Sequence, residues 1–468
     1  MAKMKKISIA AFGIILILLF SATMTGAVDV LNNIKKPQTL DVGNSGISKS
    51  WTIMFYFAGD HQRGKEIPYN QDILKNIGST NEVNIIGLYD GKQAGDTFYC
   101  YIEKDLLVPL DWYDNFESNM AEPETLQKFL ELTMYLYPAD KYALFSLSAF
   151  GSGWQGIISD THGTGSSTTV ELITMPEISE VLKSVTNNGS EKIDIFCIDV
   201  CVGGNVEVAY EIAPYVDYMV ANEEHGFGGP DELSDDGLPL EWNYTNFIQQ
   251  IVDNPSMTPE EFAIYVAESY TPSDLTSKIL GIFNPPSWYP IIKYYTDLSA
   301  SNLGEIDFLK DAISNLGEVL TDNISECRGE IKKARAKTRE YGKLYRKFWF
   351  IPWKIKFGLS IDRMGYDCFI DVYDFADKLY DETSKQYVKD ACMQVMDAIN
   401  TTVIANSALP DDPTNGLSMY FPQLRCQYDQ SIWRGMGNRD FRKISSYTEL
   451  KFSEDTNWNE FLEAYLRV

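Results

Sequence analysis

EKIDIFCIDVCVGGNVEVAYEIAP, residues 191–214, is the stretch on which the reading of this chain turns. Ile193, Ile195, Phe196 and Ile198 make a short apolar run of the kind expected of a strand buried on both faces in a parallel sheet. Asp199 and Cys201 stand at its carboxyl end, and Gly203 and Gly204 break the run. Val206, Val208, Ala209 and Ile212 then predict a helix with one buried face. Open α/β sheets collect ligands in the crevice at the carboxyl ends of their strands, so this order sets a thiol in such a crevice. The partial positive charge of the following helix's first turn is expected to favour the thiolate. Cys201 is therefore the candidate nucleophile, and the alternative, a small buried apolar residue, is the reading given to Cys197.

Working outward towards the amino terminus, Trp51–Ala58 predicts a strand ended by Gly59-Asp60, Glu66–Ile77 a helix, and Val83–Tyr89 a second strand closing on Asp90. Strand, helix and strand at this spacing imply a parallel sheet with crossover helices. Phe98–Glu103 reads as a short antiparallel excursion and Pro123–Leu136 as a helix. Tyr142–Phe150 is the next strand, ending in Gly151-Ser152-Gly153-Trp154. A helix over Thr174–Lys183 opens with Thr174 and Glu177 at capping-box spacing. Beyond the central stretch, Val216–Ala221 predicts a strand that runs into Asn222-Glu223-Glu224-His225-Gly226. Right-handed crossovers bring these polar or Gly-rich strand ends to one edge of the sheet, which is the predicted site.

Further on, Asn254–Tyr270 carries a helix with Thr258 and Glu261 as its capping box, and Ile279–Phe283 is expected to be the last strand of this part. From Leu303 the pattern is mostly helical, with helices over Arg328–Tyr341, Tyr366–Tyr380, Lys385–Val403 and Trp458–Tyr465 and a buried strand over Gly416–Pro422. Lys343–Leu359 is basic with interleaved aromatics and reads as side chains snorkelling over a core rather than as a membrane contact.

With 468 residues, 44% of them hydrophobic, the chain can bury one large core or two ordinary ones. It is divided here into residues 50–290 and 291–468. A net charge of −26 argues against a nucleic-acid partner and for basic substrates. Lys3, Lys5 and Lys6 before the apolar run Ile7–Ala22 predict an export signal over residues 1–27, with an uncleaved anchor as the alternative and residues 28–49 as linker. The protein is thus expected to be secreted or extracytoplasmic, with membrane contact only if that segment stays attached. Seven cysteines and three histidines without CxxC spacing argue against a structural zinc.

In order and spacing, WTIMFYFAGD, GSGWQGIISD, IDVCVGGNVEVAYEI, NPSMTPEEFAIYVAESY and GLSMYFP resemble the clostripain family of cysteine peptidases, over roughly Trp51 to Tyr465. The resemblance implies a caspase-like three-layer α/β/α sandwich with a mostly parallel sheet, followed by a mainly helical C-terminal region. It also implies hydrolysis of peptide bonds after Arg or Lys. By the family's D-x-C motif, Cys201 would be the nucleophile and Asp199 the acid beside the pocket for the basic side chain. Backbone N–H groups of Gly151 and Cys201 would hold the oxyanion, and Glu223 and Glu224 would add negative charge near the pocket. No cofactor is implied with certainty, and calcium is left open.

One motif departs from the family. Where the family has the histidine of H-G-x-G-W as general base, this chain reads Phe150-Gly151-Ser152-Gly153-Trp154. A phenyl ring can neither take the thiol proton nor protonate a leaving amine, steps worth about 10² to 10⁴ in rate. His162 and His225 are candidate substitute bases, and His61 a weaker one. Two functions follow: a cysteine endopeptidase impaired at its base, or a pseudopeptidase that binds basic peptide segments or a protein partner.

Overall fold

The computed structural model describes residues 48–60, 66–110 except 92 and 94, 112, 117–148, 151, 153–161, 169–224, 242–274, 295–341, 368–428, 440–442 and 445–467. Its first elements are β1 (Lys49–Ala58), α1 (Glu66–Ile77), β2 (Val83–Asp90), β3 (Phe98–Glu103) and β4 (Leu106–Pro109). Next come α2 (Pro123–Leu136), β5 (Ala139–Ser148), β6 (Ile158–Asp160), β7 (Thr169–Ile173), α3 (Met175–Val185), β8 (Ile193–Asp199), α4 (Val206–Ile212) and β9 (Val216–Ala221). They are followed by α5 (Tyr244–Asp253), α6 (Pro259–Glu268), β10 (Leu298–Asn302), α7 (Ile306–Asp322), α8 (Ile324–Lys337), β11 (Glu340–Tyr341) and β12 (Phe369–Asp371). The last are α9 (Val372–Glu382), α10 (Gln386–Thr402), β13 (Val403–Ser407), β14 (Ser418–Tyr420), β15 (Asp440–Arg442), α11 (Lys451–Asp455) and α12 (Trp458–Leu466).

Nine strands form the central sheet, in the order β13-β10-β9-β8-β5-β1-β2-β3-β4. The five from β9 to β2 are parallel. β3 and β10 oppose them, and β4 and β13 oppose β3 and β10 in turn, so seven of the nine run one way. Every residue of β1 from Trp51 to Ala58 is buried, as a strand covered on both faces requires. On one face Phe55 and Phe57 pack with Tyr244, Phe247 and Ile251 of α5 and with Phe262 of α6, and Phe145 stacks on Phe247 at 5.3 Å. On the other face Tyr56 meets Phe129 of α2 and donates its hydroxyl hydrogen to the Met120 carbonyl at 2.9 Å. This is the expected mixed, mostly parallel sheet between two helical layers.

Both capping boxes form. Thr174 accepts from the Glu177 N–H while Glu177 accepts from the Thr174 N–H, and Thr258 and Glu261 do the same at the start of α6. Other expectations need correction. The helix expected over Tyr366–Tyr380 begins later, because Phe369–Asp371 pair as a strand with β11 and β14. Asp371 then caps α9 by accepting from the Asp374 N–H at 2.6 Å. Residues after 294 are mainly helical, as expected, and within them β10 and β13 extend the central sheet while Ser418 of β14 bridges to Asn205. The expected strand Ile279–Phe283, the basic run Lys343–Leu359 and the proposed export segment lie outside the described residues. No helix among the described residues is long and apolar enough to cross a membrane.

Candidate active site

Strand register brings the predicted site together. Leu147 of β5 lies beside Asp199 of β8, and Ile198 lies beside Ala221 of β9, so the three strands end level with one another. Cys201 falls in the turn after β8, 8% exposed. The next residue, Val202, has φ 48°, a left-handed conformation that a β-branched side chain rarely adopts and that costs about 1–3 kcal/mol. Several bonds hold the turn. The Val202 N–H donates to the Glu224 carbonyl at 3.2 Å, the Gly204 N–H to the Asn222 carbonyl at 2.9 Å, and Asn205 Nδ2 to the Val202 carbonyl at 2.8 Å. Backbone strain kept in place by this many bonds sits directly beside the candidate nucleophile.

Asn205 also caps α4, accepting from the Val208 N–H at 3.0 Å. The helix therefore starts beyond Cys201, with the Val208 N–H of its first turn already taken by Asn205. Cys197 is fully buried within β8, and burial, then the Asp199 charge, push its thiol well above the usual range.

Gly151 lies against the same turn. A Cβ at this position would sit 2.5 Å from Val200 Cγ2 and 2.7 Å from the Cys201 carbonyl oxygen, so only glycine allows the approach. Gly153, at φ 56°, is equally close to Asn205 Nδ2, at 2.3 Å from its would-be Cβ. Trp154 anchors the segment, buried edge-on against Tyr420 and Tyr447 at 5.1 Å from each. Phe150, His162, His225 and His61 lie outside the described residues.

Asp199 is 3% exposed, and its Oδ2 accepts from the Tyr244 hydroxyl at 2.7 Å. Glu223 and Glu224, expected to add charge to an open pocket, instead point inward. Glu223 is fully buried and accepts from the Gly416 N–H at 2.7 Å; burial, then Asp371 and Asp297, hold its carboxyl well above the usual range. Glu224 pairs with Arg339 at 3.2 Å, and Arg339 also binds Asp412 at 2.8 Å. The reason is local: Asp297 accepts the N–H groups of both Glu223 and Glu224, at 2.7 and 3.2 Å, and turns the loop back over β10.

Five further supports were not singled out from sequence. Besides Asp297 and Arg339, Ser418 donates its N–H and hydroxyl to the Gly204 carbonyl at 3.0 and 3.1 Å. Glu207 of α4 accepts from the Tyr420 N–H at 2.9 Å and the Tyr447 hydroxyl at 3.0 Å, and burial raises it to about 7. Asn205 alone had a local signal, an N-cap residue just before an apolar run.

A mixed, mostly parallel sheet between helices, carrying a thiol turn and a close-packed glycine at its carboxyl edge, is a caspase-like α/β fold of the cysteine-peptidase type. Residues 65–465 match the clostripain family, and the chain belongs to it. It is similar to clostripain of Hathewaya histolytica, 23% identical over 452 residues, which cover 84% of this chain and 78% of that protein. Among solved structures, an inactive zymogen C11 protease from Parabacteroides distasonis superposes with a TM-score of 0.55 at 16% identity, covering 88% of this chain and 99% of that one. A secreted C11 cysteine protease from Bacteroides thetaiotaomicron, in complex with an irreversible peptide inhibitor, gives 0.53 at 14% identity, covering 89% and 99%. At these identities the structural likeness carries the fold.

Proposed function

We propose that this protein is an exported clostripain-type cysteine peptidase homologue that receives peptides with a basic side chain and is impaired in amide hydrolysis by Phe150. Cys201 Sγ attacks the carbonyl carbon after Arg or Lys, the N–H groups of Gly151 and Cys201 hold the oxyanion, and Asp199 receives the basic side chain. Collapse of the adduct breaks the C–N bond, and the departing amine needs a proton that Phe150 cannot give. The observation that carries this reading is the close packing of Gly151 on Val200 and Cys201, beside the strained Val202. Glu223 and Glu224 are left out of the pocket because both are enclosed. A peptide ligand also agrees with the inhibitor bound by the structural relative.

The test is to treat the purified protein with an arginine-directed, thiol-reactive affinity label and with arginyl ester and arginyl amide substrates, beside Cys201→Ala. Labelling lost in Cys201→Ala, with ester turnover far above amide turnover, is expected, since an alcohol leaves with less help than an amine. Phe150→His should then raise amide hydrolysis by about 10² to 10⁴. Labelling with no turnover of either substrate would favour the pure binder. Efficient amide cleavage by the wild type, lost in His162→Ala or His225→Ala, would overturn the impairment.

A further inference from the structure

Asp199 stands where the sheet otherwise sets core residues. Tyr89, Phe57, Leu147 and Asp199 lie in register across β2, β1, β5 and β8, and the first three belong to the hydrophobic cluster that packs on α5 and α6. Within β8, Ile195 and Cys197 also enter that cluster, so by the alternation of the pleat the buried Asp199 side chain shares their face. A carboxylate on such a face costs stability unless donors answer it. The Tyr244 hydroxyl does so, donating to Oδ2 at 2.7 Å, the short separation of a charge-assisted bond.

Tyr244 has little freedom to place that hydroxyl elsewhere. It is the first residue of α5, behind Asn243, whose side chain accepts from the Asn246 N–H at 3.2 Å. Its ring lies edge-on to Phe55, Phe57 and Phe145, with centroids 6.0, 5.6 and 6.2 Å away. Phe247 stands tilted to it at 5.2 Å, and Trp242 stacks on it at 6.3 Å. The packed rings fix the donor, and the donor fixes one oxygen of the acid. That ordering is complete before a ligand arrives, so a ligand does not bear its cost.

We propose that Tyr244 is the positioning residue of the pocket acid: its hydroxyl holds the Asp199 carboxylate in place and thereby sets the affinity for a guanidinium or ammonium side chain. The proposal rests on the reading of Asp199 as the acid that receives the basic side chain. Without the hydroxyl, a carboxylate beside aromatic rings turns towards water or takes up a proton, and both withdraw its charge from the ligand. Release of an oxygen from competition with Tyr244 acts in the opposite direction and is the smaller effect, because the hydroxyl and a ligand cation can use different lone pairs of one carboxylate.

The test uses full-length protein carrying Cys201→Ala, so that no peptide is cut and the outcome does not depend on turnover by the thiol. Calorimetry measures binding of a short peptide amide ending in arginine and of its citrulline twin, which has nearly the same shape and no charge. Adding Tyr244→Phe, which keeps the ring, should weaken the arginine peptide about tenfold and leave the citrulline peptide within about twofold. Adding Asp199→Asn should abolish the preference for arginine. A purely structural tie between β8 and α5 would instead lower the Tm and weaken both peptides alike; that result overturns the proposal, as does an unchanged or tighter arginine Kd in Tyr244→Phe. Loss of the preference in Asp199→Asn but not in Tyr244→Phe sinks the positioning role alone. No preference in the parent chain, or none lost in Asp199→Asn, sinks the basic pocket and the positioning role with it.

Discussion

A valine held at φ 48° directly after a cysteine is a strained way to turn a chain, and here two backbone bonds and the Asn205 side chain keep it there. Gly151 completes the arrangement, because any side chain would strike Val200 and the Cys201 carbonyl. Gly151→Ala should therefore slow affinity labelling of Cys201 by about 10²-fold while leaving the far-UV circular dichroism unchanged. Glu207 gives a second residue-scale expectation. Its folded-state pKa of about 7 lies above the unfolded value, so the native state holds an extra proton, and the associated stability is lost as pH rises from about 4.5 through 7. Glu207→Gln keeps an acceptor for Tyr420 and Tyr447, and it should stabilise the protein by up to about 3 kcal/mol at pH 8.5 but little at pH 4.5, read by denaturant melts. The placement of Cys201 and Gly151 at one sheet edge was legible because each follows directly on an apolar strand run. Glu223 and Glu224 were misread because position after a strand does not say which way a loop folds back, and that is set by Asp297, over 70 residues on.

Among the elements, the central parallel strands and their crossover helices were readable because each is a long apolar run or an amphipathic helix with recognisable ends. Thr174 and Thr258 are the clearest case, their capping boxes predicted from spacing alone. Thr258→Ala should cost about 1 kcal/mol and lower the Tm by a few degrees, while the conservative Thr258→Ser should retain most of the stability. The edge strands were not readable. β10 is LSASN and β13 is VIANS, too short and too polar to show alternation; β10 is a strand because β9 offers an open edge to pair with, and β13 because β10 then offers the next. β12 was taken into a helix for a related reason: three residues, FID, are strand only because β11 and β14 flank them. Long-range pairing decided these elements, and local propensity did not.

Across the molecule, charges from distant parts of the chain are gathered around few counterions. Arg339, 8% exposed at its side chain, answers Glu224 and Asp412 together. Replacing it by leucine leaves two buried carboxylates without their cation, and a loss of about 3–5 kcal/mol is expected in equilibrium unfolding. Restoring part of that loss with Glu224→Gln in the same chain would confirm that charge, and not packing, is responsible. Asp90, Asp297 and Asp371 are raised by burial to about 9, 8 and 7, and Glu211 also to about 7. All are acids whose native form holds protons more tightly than the unfolded chain, so the sign is common: stability declines as pH climbs from 6 to 9. The self-repulsion of a net −26 molecule acts in the same direction. The Tm should be highest on the mildly acidic side of neutrality, and a maximum above pH 8 would contradict this account.

The dependence of the Cys201 turn on β14 has a consequence for the order of biosynthesis. The Gly204 carbonyl is bonded by Ser418, and Glu223 by Gly416, almost two hundred residues downstream. A nascent chain that has emerged past Glu224 but not yet past Gly416 can assemble the parallel strands, while the peptide around its cysteine still lacks the partners that shape it. The peptide at that thiol thus receives its last supports only once the chain has been made past Ser418, long after the strands that flank it.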